Sequence, residues 1–257
     1  MSTLREQFIE RLIREIFLRK GSGFVLKGGA AMRSLLGEQR LTKDVDLDFT
    51  NPKRSADSLH NTLRRAITAA ARGLPLEDLT ISAPGKEELS PRWKINFQDR
   101  QGTRFHVEVE VSRDARRAPP GAVVQQRFAP IATGIVSPFW VDIYDRPTLI
   151  ATKVAALLGR GAARDVYDLD LLLPAAAPSA EQVRWAVKRA NLGRQNPLEV
   201  LGIRLDALTW QRFRTDLRDA LPEHIAERID ETEWSAMKGR VRDGIQRLLE
   251  AADVGGS

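Results

Sequence analysis

The amino-acid sequence predicts an α+β fold, with a mixed sheet flanked by helices in its first part and an α-helical C-terminal part. Two observations predict it. Up to Leu173, segments with apolar residues at alternate positions, as in strands, interleave with segments whose apolar residues recur every three or four positions, as in helices. Beyond the Pro174–Pro178 segment, which reads PAAAP, only the helical spacing recurs. We therefore expect two domains, 1–174 and 179–257, joined by this segment.

Caps and glycines mark the first elements. Thr3 and Glu6 have the spacing of a capping box, which predicts a helix start, and Gly37 is typical of a helix end. Between these residues and Leu173 the two spacings alternate. The predicted helices are Leu4–Leu18, Ala30–Leu36, Ser55–Arg72, Thr148–Leu158 and Ala163–Leu173, and the predicted strands are Phe24–Leu26, Val45–Phe49, Leu79–Ser82, Trp93–Gln98, Arg104–Ser112 and Trp140–Ile143.

Two regions are less regular. The Arg113–Pro130 segment contains Pro119-Pro120-Gly121, which favours a loop or a short hairpin. The C-terminal part is predicted to contain three helices, Ala180–Ala190, Leu208–Leu221 and Glu233–Ala251, from their apolar spacing.

The composition excludes several classes of protein. The chain has 257 residues, 42% of them hydrophobic and 29% charged, as in soluble globular proteins. It has no Cys and only three His, which excludes disulfides, thiolate catalysis and Cys-based zinc sites. No apolar run approaches the roughly 20 residues of a membrane helix, and the N-terminal segment carries acids and lacks the apolar core of an export signal. We expect a cytoplasmic protein.

The positive charge is confined to the first part of the chain. There, 27 basic and 21 acidic residues precede Ser179, whereas 13 of each follow it, so the first part carries the whole formal charge of +6. This excess favours a polyanionic partner such as a nucleotide or RNA. Solubility alone explains the charge equally well.

The most informative stretch is Phe24–Phe49. Gly28 and Gly29 end a short apolar run and precede a helix, as in backbone cradles for phosphate, although a tight turn is the commoner reason for a glycine pair. Asp44 and Asp46 follow on one face of a strand. Paired carboxylates suit Mg²⁺ or Mn²⁺; the alternative is an edge strand protected by acids. Asp48 shares the face, and we interpret it as a solvated or helix-capping acid.

A two-metal site needs a third acid on a neighbouring strand. The Phe105–Val111 segment offers Glu108 and Glu110, alternating with valines. A half-buried strand also explains this alternation. Because the two glutamates share a face, their spacing does not choose between them.

A second cluster follows at Lys153, Arg160, Arg164, Asp165 and Asp168. If one helix runs through this region, Lys153, Arg160 and Arg164 share a cationic face suited to nucleotide phosphates. Asp165 or Asp168 would then orient a cation by ion pairing. An ordinary amphipathic helix with extended Lys and Arg side chains is the alternative.

The order of these motifs resembles the polymerase-β-like nucleotidyltransferase superfamily. Within it, three motifs are similar to the AbiEii-type nucleotidyltransferase toxins of abortive-infection and type IV toxin–antitoxin systems. The resemblance spans Leu26–Leu173. Its motifs are Lys27-Gly28-Gly29-Ala30, Arg40-x-Thr42-x-Asp44-x-Asp46-Leu47, and Lys153 followed by Arg164-Asp165-x-x-Asp168-Leu169.

The resemblance implies a polymerase-β-like nucleotidyltransferase core and a role for each matching residue. Gly28 and Gly29 would bind the triphosphate of an NTP, and Asp44 and Asp46 would bind Mg²⁺. Glu110 is the implied third acid, because Val111-Ser112 follows it as in the family. The family commonly has Asp at this position, and the wider superfamily often has Ser in place of Gly29. Lys153 would contact phosphate and Asp165 would support the site; Lys27, Arg40, Thr42 and Arg164 complete the implied nucleotide contacts.

The predicted function is therefore metal-dependent nucleotidyl transfer, EC 2.7.7 type, by a bacterial toxin that acts on tRNA 3′ ends. A cognate antitoxin encoded nearby is implied by the resemblance alone. Three alternatives are nucleotidylation of a small molecule, as in aminoglycoside-modifying enzymes, nucleotidylation of a protein, and a non-catalytic RNA-binding module. The preferred NTP, the oligomeric state and the role of the C-terminal helices do not follow from the sequence.

Overall fold

The computed structural model describes residues 3–18, 22–37, 42–50, 55–85, 90–113, 118–131 and 136–254. The chain forms two compact units. The first contains Met1–Ala118 and Val123–Ile143, and the second contains Pro119–Ala122 and Tyr144–Ser257. The predicted domain boundary at 174–179 stays a prediction. No helix in the described ranges is long and apolar enough to cross a membrane.

The first unit contains a seven-stranded mixed sheet, which confirms the predicted α+β class. The strand order is β3-β4-β5-β2-β1-β7-β6. Strand β2 pairs antiparallel with β1 and parallel with β5. The elements, in chain order, are α1 (Leu4–Phe17), β1 (Phe24–Leu26), α2 (Gly28–Leu36), β2 (Asp44–Phe49), α3 (Ala56–Ala71), β3 (Glu77–Ser82), β4 (Arg92–Gln98), β5 (Arg104–Ser112), β6 (Val123–Phe128) and β7 (Phe139–Tyr144).

The side chains alternate along the strands, so that one face of the sheet is apolar and the other is polar. In β4, Trp93, Ile95 and Phe97 are buried, whereas the residues between them are exposed. Helices α1 and α3 cover the buried face: the ring of Phe8 lies 5.0 Å from that of Phe97, and His60 lies 5.0 Å from Trp93. The other face of β4 and β5 is polar, and the acids of β2 lie on it.

The segment Arg113–Pro130 corrects one expectation. Its described residues 118–122, which contain Pro119-Pro120-Gly121, form neither helix nor strand, as expected of a loop, but Val123–Phe128 form the single strand β6 at the edge of the sheet. Its polar residues gave no alternating pattern, because an edge strand is exposed on more sides than a central one. Only Phe128 is buried, and it stacks on Phe139 of β7 at 5.0 Å.

A buried ion pair ties α1 to α2. Glu10 and Arg33 are 0% and 4% exposed and form a salt bridge. Arg33 also donates to the carbonyl oxygen of Ala129 at 3.2 Å, and its guanidinium lies 4.9 Å from the ring centre of Phe128. The same Glu10 carboxylate accepts a hydrogen bond from the backbone N–H of Ile131 at 2.7 Å. The pair therefore anchors α2, whose first residue is Gly28.

The second unit is helical, as predicted for the C-terminal part. Helix α7 was not anticipated, although Asn196 and Pro197 are a recognisable cap and first helical residue. The predicted Leu208–Leu221 helix is instead the shorter α8 followed by a 3₁₀ turn. The helices are α4 (Arg146–Arg160), α5 (Ala163–Leu172), α6 (Ala180–Ala190), α7 (Pro197–Ala207), α8 (Trp210–Asp216), α9 (Glu223–Ala226) and α10 (Glu231–Ala251).

We predict that Arg33→Met destabilises the first unit by about 3–5 kcal/mol, because it leaves the Glu10 carboxylate buried without its cation. Equilibrium unfolding in urea measures the change. The matched control is Arg65→Met on the exposed side of α3, for which a change within about 0.5 kcal/mol is expected. Equal losses in the two variants would contradict the anchoring role.

Candidate active site

The two glycines lie at the junction of β1 and α2. Lys27 precedes the helix without a side-chain cap, and Gly28 begins it with a φ of 61°. A Cβ atom on Gly28 would lie 2.1 Å from Oδ2 of Asp46. The Asp46 carboxylate is thus packed directly against the start of α2, where the first-turn N–H groups have no partner within the helix. This is an environment suited to an anion held beside a carboxylate-bound cation.

The strand register brings the predicted acids together on one face. In the parallel pair of β2 and β5, Asp46 is opposite Glu110, and Asp44 is opposite Glu108. Directly opposed residues of neighbouring strands project to the same side of a sheet. All four side chains are half-buried. The carboxyl groups of two adjacent strands therefore share one surface next to Gly28.

Asp48 differs from its expected role. It is neither solvated nor a helix cap: it is 7% exposed, and its Oδ1 lies 2.7 Å from Nζ of Lys27. Lys27, expected to bind the nucleotide, thus neutralises the third acid of β2. The backbone N–H of Lys27 also donates to the carbonyl oxygen of Asp46 at 2.8 Å, which fixes β2 against the junction.

Arg92 also lies at the candidate site, although no sequence motif pointed to it. It lies opposite Glu110 in the pairing of β4 with β5. Its Nη2 is 2.9 Å from Oε2 of Glu110, and its Nη1 is 3.5 Å from Oε1 of Glu108. The alternation Arg92-Trp93-Lys94 indicated an exposed cation, but only the register shows which acids it meets. Arg92 thus offsets repulsion among the acids.

The donor chemistry fits a hard divalent cation in part. Asp44 and Asp46 provide carboxylate oxygens on one face beside the Gly28 cradle, as Mg²⁺ requires. Both candidates for the third acid, Glu108 and Glu110, pair with Arg92 in this structure. Within the described ranges, no group of three or more Asp, Glu or His side chains has an arrangement that could hold a metal ion. Asp44 and Asp46 are the candidate ligands.

Three more residues were predicted to contact the nucleotide: Gly29, Arg40 and Thr42. The Thr42 hydroxyl donates to the backbone carbonyl of Asp44 at 3.0 Å and so holds the start of β2. Gly29 lies in the first turn of α2. Arg40 lies outside the described residues.

In the second unit, Lys153 of α4 meets two carboxylates of α5. Its Nζ lies 2.5 Å from Oδ2 of Asp168 and 3.8 Å from Oδ1 of Asp165. Arg160 binds the same Asp165 through two hydrogen bonds of 2.9 and 3.0 Å. Both aspartates are 0% exposed and Lys153 is 6% exposed. Burial makes this a rigid charge cluster, because each carboxylate needs its cation.

The continuous cationic face expected from Lys153 to Arg164 does not form. Helix α4 ends at Gly161, which has a φ of 64° and lies too close to Arg204 for a side chain. Arg164 therefore lies on a separate helix, α5, with an exposed side chain, while Asp165 beside it is buried.

We predict that Gly28→Ala destabilises the first unit more than Gly37→Ala. Gly28 is the first residue of α2 and Gly37 is its C-cap, and both have left-handed φ values, of 61° and 66°, but a Cβ on Gly37 meets nothing within 4 Å. Gly37→Ala should cost about 1–2 kcal/mol of backbone strain, and Gly28→Ala at least about 1 kcal/mol more, since Asp46 must move. Unfolding free energies measure both, and equal values would argue against the packed contact.

We also predict that Lys153→Met lowers the stability of the second unit by about 3–5 kcal/mol, because it removes the ammonium group that pairs with the buried Asp168 carboxylate, whereas Asp165 keeps Arg160. Lys188→Met, on the exposed side of α6, is the matched control with an expected change within about 0.5 kcal/mol. Thermal unfolding at neutral pH compares them. A wild-type-like Lys153→Met protein would show that the cluster does not depend on its ammonium group.

Comparisons with known proteins agree with this architecture. JHP933 from Helicobacter pylori is 18% identical, with a TM-score of 0.55 over 97% of this chain and 93% of that one. MenT4, a nucleotidyltransferase toxin of Mycobacterium tuberculosis H37Rv, is 18% identical, with a TM-score of 0.58 over 96% of this chain and 83% of that one. At these identities the likeness shows a shared fold. No curated protein matches the sequence.

The family described as "Nucleotidyl transferase AbiEii toxin, Type IV TA system" matches residues 11–253. This range contains the diglycine junction, the acids of β2 and β5, and the Lys153 cluster. The match confirms the family that the motifs indicated: the chain belongs to the AbiEii nucleotidyltransferase toxins of type IV toxin–antitoxin systems.

Proposed function

We propose that this toxin is a Mg²⁺-dependent enzyme that transfers a nucleotide from an NTP to the 3′-terminal hydroxyl of tRNA. Family membership establishes the coarser assignment, a nucleotidyltransferase toxin. The proposal of a Mg²⁺-dependent enzyme is supported by the contact between Asp46 and Gly28. This contact places the carboxylate pair of β2 beside a helix start that suits phosphate. Such a combination is what an enzyme acting on a metal-bound triphosphate needs.

The donor nucleotide is proposed to bind with its phosphates at the start of α2. The backbone N–H groups of Gly28 and Gly29 face phosphate oxygens there, and the positive end of the helix dipole adds to the attraction. Glycine at both positions lets the phosphates approach the backbone closely. We also propose that the phosphates are contacted by Lys27, Arg40, Thr42, Lys153 and Arg164.

Asp44 and Asp46 would hold the metal through carboxylate oxygens, with Glu110 as the proposed third ligand and Glu108 as its alternative. When bound, Mg²⁺ neutralises phosphate charge and lowers the pKa of the attacking hydroxyl. Asp46 is fixed between the Gly28 contact and the β2 backbone, so its oxygens are oriented before substrate arrives. Asp165 is proposed to support the site by fixing Arg160 and Lys153.

The proposed reaction balances as a single displacement. The acceptor oxygen forms a bond to the α-phosphorus, and the bond from that phosphorus to the bridging oxygen of the β-phosphate breaks. Pyrophosphate leaves with the bridging oxygen, and the hydroxyl proton passes to solvent at the half-buried carboxylates. Positioning and charge stabilisation would supply most of the rate enhancement.

We further propose a cytoplasmic location and a cognate antitoxin encoded nearby, as the toxin–antitoxin family implies. The excess of basic residues in the first part of the chain supports an RNA acceptor, because RNA is a polyanion.

We predict that Asp46→Asn and Asp44→Asn each reduce nucleotidyl transfer at least about 100-fold, because each removes a charged metal ligand without changing side-chain size. The assay is incubation of the purified protein with each α-³²P-labelled NTP, Mg²⁺ and total RNA, followed by gel analysis. Glu77→Gln, an exposed acid at the start of β3, is the control with unchanged activity. Full activity in Asp46→Asn would refute the assignment.

The same assay tests the acceptor. Label in tRNA that is lost after removal of the 3′-terminal nucleotide is the expected result. Label in protein, or in an aminoglycoside added as acceptor, would replace tRNA by one of the two alternative acceptors. NTP binding in calorimetry without any labelled product would indicate a binding module.

A further inference from the structure

A polar surface continues from the acids across β5 and β4. Arg92 and Lys94 lie opposite Glu110 and Glu108, and Asn96 lies opposite His106. Directly paired residues share a face, so these side chains project on the same side as Asp44 and Asp46. Arg92, Lys94, Asn96 and His106 are exposed, whereas the alternate residues of both strands are buried, apart from the half-buried Phe105.

This surface ends in a pocket of about 450 Å³, and its polar wall includes Asn96, Gln98, Arg104 and His106. Nδ1 of His106 lies 2.8 Å from Oδ1 of Asn96. An amide oxygen only accepts, so the imidazole N–H donates in this bond. In the neutral imidazole the other ring nitrogen, Nε2, is then an acceptor, and the Asn96 amide keeps its N–H donors.

The pocket thus presents a hydrogen-bond donor, the Asn96 amide, beside a hydrogen-bond acceptor, Nε2 of His106. This is the pattern that pairs with the edge of a nucleobase. Gln98 is fixed by a hydrogen bond of 2.5 Å to Asp78, which orders the adjoining wall. Arg104 and Lys94 are exposed cations on either side of the His106–Asn96 pair. Cations flanking a base-edge pattern suit the phosphates of a nucleic-acid strand.

The position of the pocket favours binding of the acceptor over binding of the donor nucleotide. The strand order β4-β5-β2-β1 puts the pocket, which is lined by β4 and β5, and the Gly28 junction after β1 on opposite sides of Asp46, which lies on β2. In phosphoryl transfer the attacking and leaving oxygens lie roughly in line across the phosphorus. If pyrophosphate leaves on the side of α2, the attacking hydroxyl arrives from the side of β5. His106 precedes Glu110 by four residues along β5, about 13 Å, which is longer than one nucleotide.

We propose that this pocket binds a nucleobase of the acceptor RNA upstream of its reactive end, through Asn96 and His106, with Lys94 and Arg104 binding the adjacent phosphates. The proposal rests on the proposed function, since it names the place of the RNA acceptor in that reaction.

The test combines binding and kinetics. RNA binding is measured by fluorescence anisotropy of 5′-labelled bulk tRNA in the Asp46→Asn background, which removes turnover. His106→Ala and Asn96→Asp, which keeps the side-chain size but removes the amide donors, should each weaken binding about tenfold. In the active protein they should raise the KM for RNA to the same extent, with the KM for NTP unchanged. Lys94→Ala and Arg104→Ala should each reduce the salt dependence of binding by about one unit of slope.

Arg65→Ala, a charge-changing variant on α3 at the opposite face of the sheet, is the control and should bind RNA like the parent. Unchanged RNA affinity in His106→Ala and Asn96→Asp, with tRNA still labelled by the parent enzyme, would overturn this proposal alone. A raised KM for NTP instead of RNA would assign the pocket to the donor base and also overturn it. If the parent protein neither binds nor labels RNA, the proposed acceptor fails together with the pocket.

Discussion

The close approach of the Asp46 carboxylate to the Cα of Gly28 is the constraint on which the candidate site depends. It requires a residue without a side chain at the first position of α2, in a left-handed conformation that glycine adopts at little cost. It also fixes the register of β2, since Lys27 donates to the Asp46 carbonyl oxygen at the same place. This contact lies where the helix begins, and it orients the carboxylate of Asp46, which is a candidate metal ligand.

Charge balance explains how this acidic surface folds. Lys27 neutralises Asp48 at the β1 side, and Arg92 holds Glu108 and Glu110 at the β4 side. The Arg92 pairs are half exposed, so they contribute little net stability and mainly reduce repulsion among the carboxylates. Asp46, between these two cations, is oriented by its contact with Gly28 and by the backbone of β2.

The second unit uses buried charge differently. Lys153, Asp165 and Asp168 are almost completely inaccessible, and Arg160 satisfies Asp165 from the surface. A buried cluster of this kind is rigid because moving any member exposes an unpaired charge to the core. Its residues match one of the three motifs of the AbiEii resemblance, which indicates that the motif reflects a structural requirement within this unit as well as a proposed phosphate contact.

Most of the elements and the acidic residues follow from the sequence alone, because both depend on local spacing. Alternation placed Asp44 and Asp46 on one face of their strand and Glu108 and Glu110 on one face of a second strand. The glycine pair marked the strand–helix junction within two residues. The tertiary structure decided which residues meet. Strand register alone set Asp46 opposite Glu110 and Arg92 beside it, and turned the expected solvated Asp48 into a buried ion pair. Glycine at position 161 split the expected cationic face, and β6 formed only by pairing at the sheet edge. These outcomes depend on contacts between residues far apart in the chain, which no local period encodes.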